Sequence, residues 1–131
     1  MSRNKARRFC ASGQFEEAVS HLKALLRQQP LDDELWLDLA RCYLESDRLD
    51  KAKHCFHKSV RLNAKRVDAW YGYAITLEAL GELSASLEAF QTVLQLKPDC
   101  EAARQRIGGL YLRTGQYAQA VRTSERPACG V

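Results

Sequence analysis

A disulfide frame, a membrane span and a phosphate loop all need patterns that this chain does not have. The five cysteines, Cys10, Cys42, Cys55, Cys100 and Cys129, are odd in number and form no Cys-x-x-Cys pair. Such a set argues for free thiols in a reducing compartment, not for a disulfide frame. No run of about 18 apolar residues occurs, so no segment is long enough to cross a bilayer as a helix. The N-terminus, Met1-Ser2-Arg3-Asn4-Lys5-Ala6-Arg7-Arg8, leads into no apolar stretch of signal-peptide type. A cytoplasmic protein is the expectation. No glycine loop of phosphate-binding spacing is present, and no Ser-His-Asp or Cys-His pair has supporting local structure. A non-enzyme with no catalytic residues and no cofactor is therefore expected. The nearest approach to a metal site is His54-Cys55-Phe56-His57. Zinc wants about four converging ligands, so this reads as part of a solvated basic face, and no metal is expected.

What is present suits a folded interior. Hydrophobic residues make up 46% of the 131, too many for wholesale disorder. The net charge of +4 has a definite location. Arg3, Lys5, Arg7 and Arg8 carry four cations with no acid among them, and the remainder of the chain is balanced. A neutral body is a weak footprint for nucleic acid. One stretch departs from that balance. Lys51, Lys53, Lys58, Arg61, Lys65 and Arg66 follow one another with no acid between. Without aromatic residues for base stacking on that outer face, a solvated surface is favoured over RNA binding.

The strongest feature is a period of 34 residues. Gly13, Asp47, Gly81 and Gly115 stand at that interval, as do Phe9, Tyr43, Leu77 and Tyr111. Phe15, Leu49, Leu83 and Tyr117 form a third column, and Ala18, Ala52, Ser86 and Ala120 a fourth. A fixed period in this range means stacked supersecondary units. Each unit reads as two amphipathic helices. In residues 33–66, Leu35, Trp36, Leu39, Ala40, Tyr43 and Leu44 recur at helical spacing, behind the acidic start Asp32-Asp33-Glu34. After the turn Ser46-Asp47-Arg48 comes a second stripe with Ala52, Cys55, Phe56, Ser59 and Val60. The third unit repeats this, turning at Gly81 and stopping at Pro98, as the first stops at Pro30.

The spacing Trp36-x2-Leu39-Ala40-x2-Tyr43, Ala52-x3-Phe56, Ala64 resembles the tetratricopeptide repeat. Trp70-x2-Tyr73-Ala74-x2-Leu77, Gly81, Ser86-x3-Phe90 and Pro98 resemble it again. The resemblance implies an all-α, right-handed superhelical solenoid of antiparallel helix pairs over residues 1–125. Its units would be 1–32, 33–66, 67–100 and 101–125, the first and last incomplete, with 126–131 a mobile tail. The first helix of unit one is expected from about Arg3 to Ala11, and the last from near Tyr117 to Glu125. The pattern asks for large residues (Trp36, Trp70, Tyr43, Phe56, Phe90) between helix pairs and small ones (Ala40, Ala74, Gly108) at close approaches. Arg104 breaks it where units two and three have tryptophan, and Ser86 where others have alanine.

In this family the first helix of each unit lines the concave surface. The resemblance thus implies a partner-binding groove of Arg7, Leu37, Arg41, Leu44, Tyr71, Ile75, Glu78, Gln105 and Arg113. Leu37, Leu44, Tyr71 and Ile75 remain once the packing columns are filled, and apolar residues rimmed by charge suggest a contact site. The expected function is non-catalytic binding of a protein or peptide segment. A subtype that clamps chaperone C-terminal carboxylates is excluded. Its Lys and Asn positions fall on Arg3, Arg7, Asp38, Asp68 and Gly72 here, and Asp68 would repel the ligand. Two alternatives stay open: a docking or regulatory piece of a larger repeat-containing enzyme or secretion-chaperone system, and RNA binding through the basic face. The absence of a polar capping helix leaves self-association through the C-terminal end open as well.

Overall fold

The computed structural model describes residues 8, 9 and 11–115. The expected first helix falls mostly outside them, although Arg8, Phe9 and Ala11 are helical. The expected last helix and the tail lie outside the described residues. Within them, six helices and no strand occur: α1 (Phe15–Gln28), α2 (Asp33–Glu45), α3 (Leu49–Leu62), α4 (Val67–Ala79), α5 (Leu83–Leu96) and α6 (Glu101–Arg113). The first helices of successive units are α2, α4 and α6. The second helices are α1, α3 and α5. Each helix packs on its chain neighbours, and α2 also reaches α4 across the unit boundary. The architecture is an all-α solenoid of helix pairs.

Local chemistry sets the helix ends. The Asp32 carboxylate accepts from the Glu34 and Leu35 amides at 3.0 and 3.4 Å, capping α2. Such a cap contributes about 1 kcal/mol. The turn within each unit is left-handed at one residue: Gly13, Asp47, Gly81 and Gly115 have φ of 82, 63, 83 and 79°. In the first three turns the next amide reaches back five residues, from Gln14 to Phe9, Arg48 to Tyr43 and Glu82 to Leu77. This is the hydrogen-bond pattern that ends a helix at a left-handed residue. It explains why the glycine and Phe/Tyr/Leu columns travel together.

Two apolar clusters form the interior. Ala18, Leu22, Leu35, Leu39, Ala40, Tyr43, Ala52 and Phe56 belong to the first. Ala74, Leu77, Phe90, Val93, Ala103, Ile107 and Leu110 belong to the second. Trp70 and Tyr73 pack against both and join them. The tryptophans differ from expectation. Trp36 and Trp70 are half-buried, not enclosed, because each indole N–H turns outward to a backbone carbonyl. Trp36 donates to Pro30 at 3.0 Å and Trp70 to Ala64 at 2.8 Å. Arg104 resolves its own anomaly: it is buried, and its guanidinium donates to the Pro98 carbonyl at 2.9 Å. Ser86 is also satisfied, donating to the Ala74 carbonyl at 2.7 Å.

Glycine 72 marks the closest approach between units. A Cβ placed there would lie 2.4 Å from Phe56 Cε1. The expected close approach at Gly108 is not found among the described residues, where nothing lies within 4 Å of such a Cβ. Ala120, its expected counterpart, lies outside them. Gly72→Ala should therefore lower stability, since overpacking costs about 1–3 kcal/mol and exceeds the helix-propensity gain. Gly109 is helical, exposed and open, so Gly109→Ala should raise stability by up to about 1 kcal/mol. Urea unfolding of both variants checks the opposite signs.

Candidate functional site

The first helices carry the surface on which the groove residues were expected. The lower part of α4 gives Tyr71 and Ile75, both half-buried and four residues apart on one helix face. Tyr71 is held edge-on against the buried Phe90 ring, 5.6 Å between centroids. Neighbouring α2 supplies Arg41, exposed, whose guanidinium stands 3.7 Å from Asp68 of α4. Leu44 at the end of α2 is half-buried. At the other end, Glu78 accepts from Arg106 at 3.3 Å and from Arg113 at 3.1 Å, tying α4 to α6. Gln105 is exposed on α6. Tyr71 and Ile75 are thus apolar residues between two charged clusters, Arg41–Asp68 and Glu78–Arg106–Arg113.

Leu37 does not match the exposed role expected of it. Only 2% of it is exposed, and it belongs to the first core cluster. It is a core residue, not a contact residue. Arg7 lies outside the described residues. Asp38 is buried as well, and Gly72 is committed to Phe56. Glu78 and Arg113 come together as a pair rather than as separate contact groups, which a single sequence gives no means to foresee.

The basic run of α3 and its following turn is not one uniform stripe. Lys53 reaches Glu82, the residue just before α5, at 2.8 Å, and this hydrogen bond raises its pKa. Arg66 is bound to Asp33 at 2.5 Å, with its pKa raised by the same kind of contact. Lys51 and Lys58 instead lie over the Tyr43 and Trp36 rings, at 5.7 and 6.0 Å from the centroids. His54 and His57 diverge. His54 meets Trp36 edge-on at 6.2 Å, and His57 meets Tyr73 at 5.8 Å.

A feature not anticipated from sequence lies on the second-helix side. A cleft of about 670 Å³ opens between α1 and α3, with α2 as its floor. Leu26, Trp36, Leu39, Tyr43 and Cys55 line its depth. The readable signal was a mismatch in one column, Leu39 against Tyr73, whose meaning depends on what the extra ring fills.

Helix pairs stacked at a fixed period around a continuous interior define an α-solenoid of repeats. Models of the tetratricopeptide repeat match residues 10–65, 43–99 and 77–126. The chain belongs to the tetratricopeptide repeat family. Superkiller complex protein 3 of Mus musculus is 29% identical over 107 residues, 82% of this chain and 7% of that protein. The chain therefore spans only a small part of the length of this curated relative. The crystal structure of MamA is similar with a TM-score of 0.88 at 22% identity, over 92% of this chain and 71% of that one. The first TPR of Spaghetti (RPAP3), bound to HSP90 peptide SRMEEVD, is similar with a TM-score of 0.83 at 18% identity. That match covers 86% of this chain and 90% of the other. Among the described residues, no helix is long and apolar enough to cross a membrane.

The thiol in the cleft wall is electrostatically disfavoured as a thiolate. Burial pushes the Cys55 pKa from an ordinary 9.0 up to about 12, against a small opposing effect of Lys23. Between those values the unfolded chain releases this proton while the folded chain keeps it. The stabilising contribution is complete below about pH 9 and is lost as pH rises towards 12. Ala89 occupies the matching position one unit on, so Cys55→Ala fits the fold. Urea midpoints from about pH 8 to 11 should fall more steeply for the wild type than for Cys55→Ala.

Proposed function

We propose that this protein is a non-catalytic interaction scaffold, working in the cytoplasm, that holds a peptide segment of a partner protein along its first-helix surface. One observation carries the reading. Tyr71 and Ile75 sit one helical turn apart, each packed against the second core cluster yet only half-buried. Tyrosine beside aliphatic surface is a common interface anchor, rigid and able to hydrogen-bond at its tip. Arg41 on one side would meet an acidic group of the segment by charge-assisted hydrogen bonds, in exchange for its long contact to Asp68. On the other side Arg106 and Arg113 converge on Glu78, giving a rim that repels an excess of positive charge. Leu44 and Gln105 extend the same surface.

Family membership favours the same class of function, and the solved relative with a peptide in place makes a peptide ligand a reasonable partner class. The ligand of that relative is not carried over. Asp68, committed to Arg41, and Gly72, committed to Phe56, stand where a carboxylate clamp would need cations.

The test is a pull-down read by mass spectrometry, comparing wild type with Tyr71→Ala/Arg41→Glu after circular dichroism has shown both folded. A protein held by the wild type and lost by the variant supports the surface and names the process. Identical capture by both removes it.

A second reading has one observation in its favour: the small share of a long relative that this chain matches. On that reading the chain acts as a docking module within a larger repeat protein. Transcript sequencing beyond the Val131 codon tests it, and a stop codon directly after Val131 would count against it.

A further inference from the structure

The cleft between α1 and α3 has Leu39 in its floor, at a position where Tyr73 and Ile107 stand in the next two units. The 34-residue period supplies an internal comparison, since the matching positions lie between α3 and α5. There Tyr73 takes the place of Leu39, and its ring stands between Trp70 and His57, 6.2 and 5.8 Å between centroids. In the α1–α3 cleft Leu39 stops short of that space, and a volume of about 670 Å³ remains over Trp36, Leu39 and Tyr43.

The rim of the cleft also differs from the matching positions. Lys23, Arg27, Lys51 and His54 border the cleft, with Asp50 as the acid there. The matching residues one unit on are His57, Arg61, Ala85 and Glu88. Lys58, which lies over Trp36, is matched by Thr92. A surplus of cations thus borders this open apolar volume and is not repeated at the matching positions one unit on. Packing gives no reason for that coincidence. Lys23, Arg27, Lys51 and Lys58 form no ion pair among the described residues, whereas Lys53, on the far side of the same helix, does. Cations over aromatic faces beside an unfilled apolar volume suit a ligand that is apolar at one point and anionic around it.

We infer that the α1–α3 cleft is a second binding site, on the side opposite the first-helix surface, for an acidic peptide segment that buries one aromatic or long aliphatic side chain over Leu39. Lys23 and Arg27 stand on one wall and Lys51 on the other, too spread for a single carboxylate and well placed for several along an extended chain. Asp50 sets the limit of the acidic preference at one end of the cleft.

The probe is an eight-residue peptide with a central Phe-Leu pair and three carboxylates on each side, titrated into ¹⁵N-labelled protein. The expected result is movement of the Trp36 indole N–H and the Lys51 amide, with Tyr71 and Ile75 unmoved. Leu39→Tyr, which copies the residue already tolerated at Tyr73, should weaken binding about tenfold or more by filling the volume. Lys23→Glu/Lys51→Glu alters only exposed side chains, and should weaken binding about tenfold while leaving the fold intact. Replacing the Phe-Leu pair by Ser-Ser should have an effect similar to Leu39→Tyr. No movement at about 1 mM peptide, movement at Tyr71 and Ile75 instead, or unchanged affinity in both protein variants would overturn the inference. So would an oligouridylate or dodecanoate that moves Trp36 when the peptide does not.

Discussion

At each joint between units the chain leaves a second helix, and one backbone carbonyl, at Pro30, Ala64 or Pro98, lies beyond the helical ladder. These three residues are exposed, so water can serve the carbonyl, and a protein donor there adds direction to the joint. Here it is met each time by a side chain six residues on: Trp36, Trp70 and Arg104. The tie fixes how the next first helix enters, and with it the angle at which the next pair stacks. It also explains how an arginine can replace tryptophan. What the joint needs is an N–H donor at that distance on a long stem, and a guanidinium on an aliphatic chain provides one. The second guanidinium nitrogen is held by Glu101 at 2.6 Å, so burial leaves the charge paired.

With the joints fixed, packing follows from size. Phe56 of one unit presses so closely on Gly72 of the next that a methyl group does not fit between them. Ala18, Ala52 and Ser86, all fully buried, keep the two helices of each pair close. Ser86 can stand for alanine because its hydroxyl finds the Ala74 carbonyl. The remaining volume is shared between two clusters that meet at Trp70 and Tyr73. One unit alone would expose half of either cluster, so the fold exists only as a stack.

Much of this is legible in one sequence because the repeat supplies its own alignment. Four left-handed turns were readable from three glycines and an aspartate in one column, and helix ends from Pro30 and Pro98. Residues whose role depends on a neighbour in another unit were not legible. The pattern marks Trp36 as large and apolar, and it is, but half of its role is polar. Leu37 was left over by the columns, yet its place in the first core cluster removes it from the surface. Glu78, Arg106 and Arg113 became a cluster only when α4 and α6 were set side by side. Column identity reports what a position must be in the average unit. It says little about what two particular units do to each other.

That limit bears on where function resides. In a solenoid whose units all obey the pattern, every cleft is equivalent and none is a site. Distinctness arises where a unit breaks the column without a compensating contact. Arg104 and Ser86 break it and are compensated, by the Pro98 and Ala74 carbonyls, so they restore the average fold. Lys23, Lys51 and Lys58 break it at the open cleft, where His57, Ala85 and Thr92 stand one unit on, and they form no ion pair among the described residues. On the first-helix side, Tyr71 and Ile75 likewise keep surface that the stack does not use. The chain's charge is divided in the same way. Lys53 and Arg66 are bound into the scaffold by Glu82 and Asp33, whereas Lys51 and Lys58 stand over rings at the open cleft. Uncompensated departures are therefore a better guide to binding in a repeat protein than total charge or total apolar content, because everything compensated has already been used to hold the stack together.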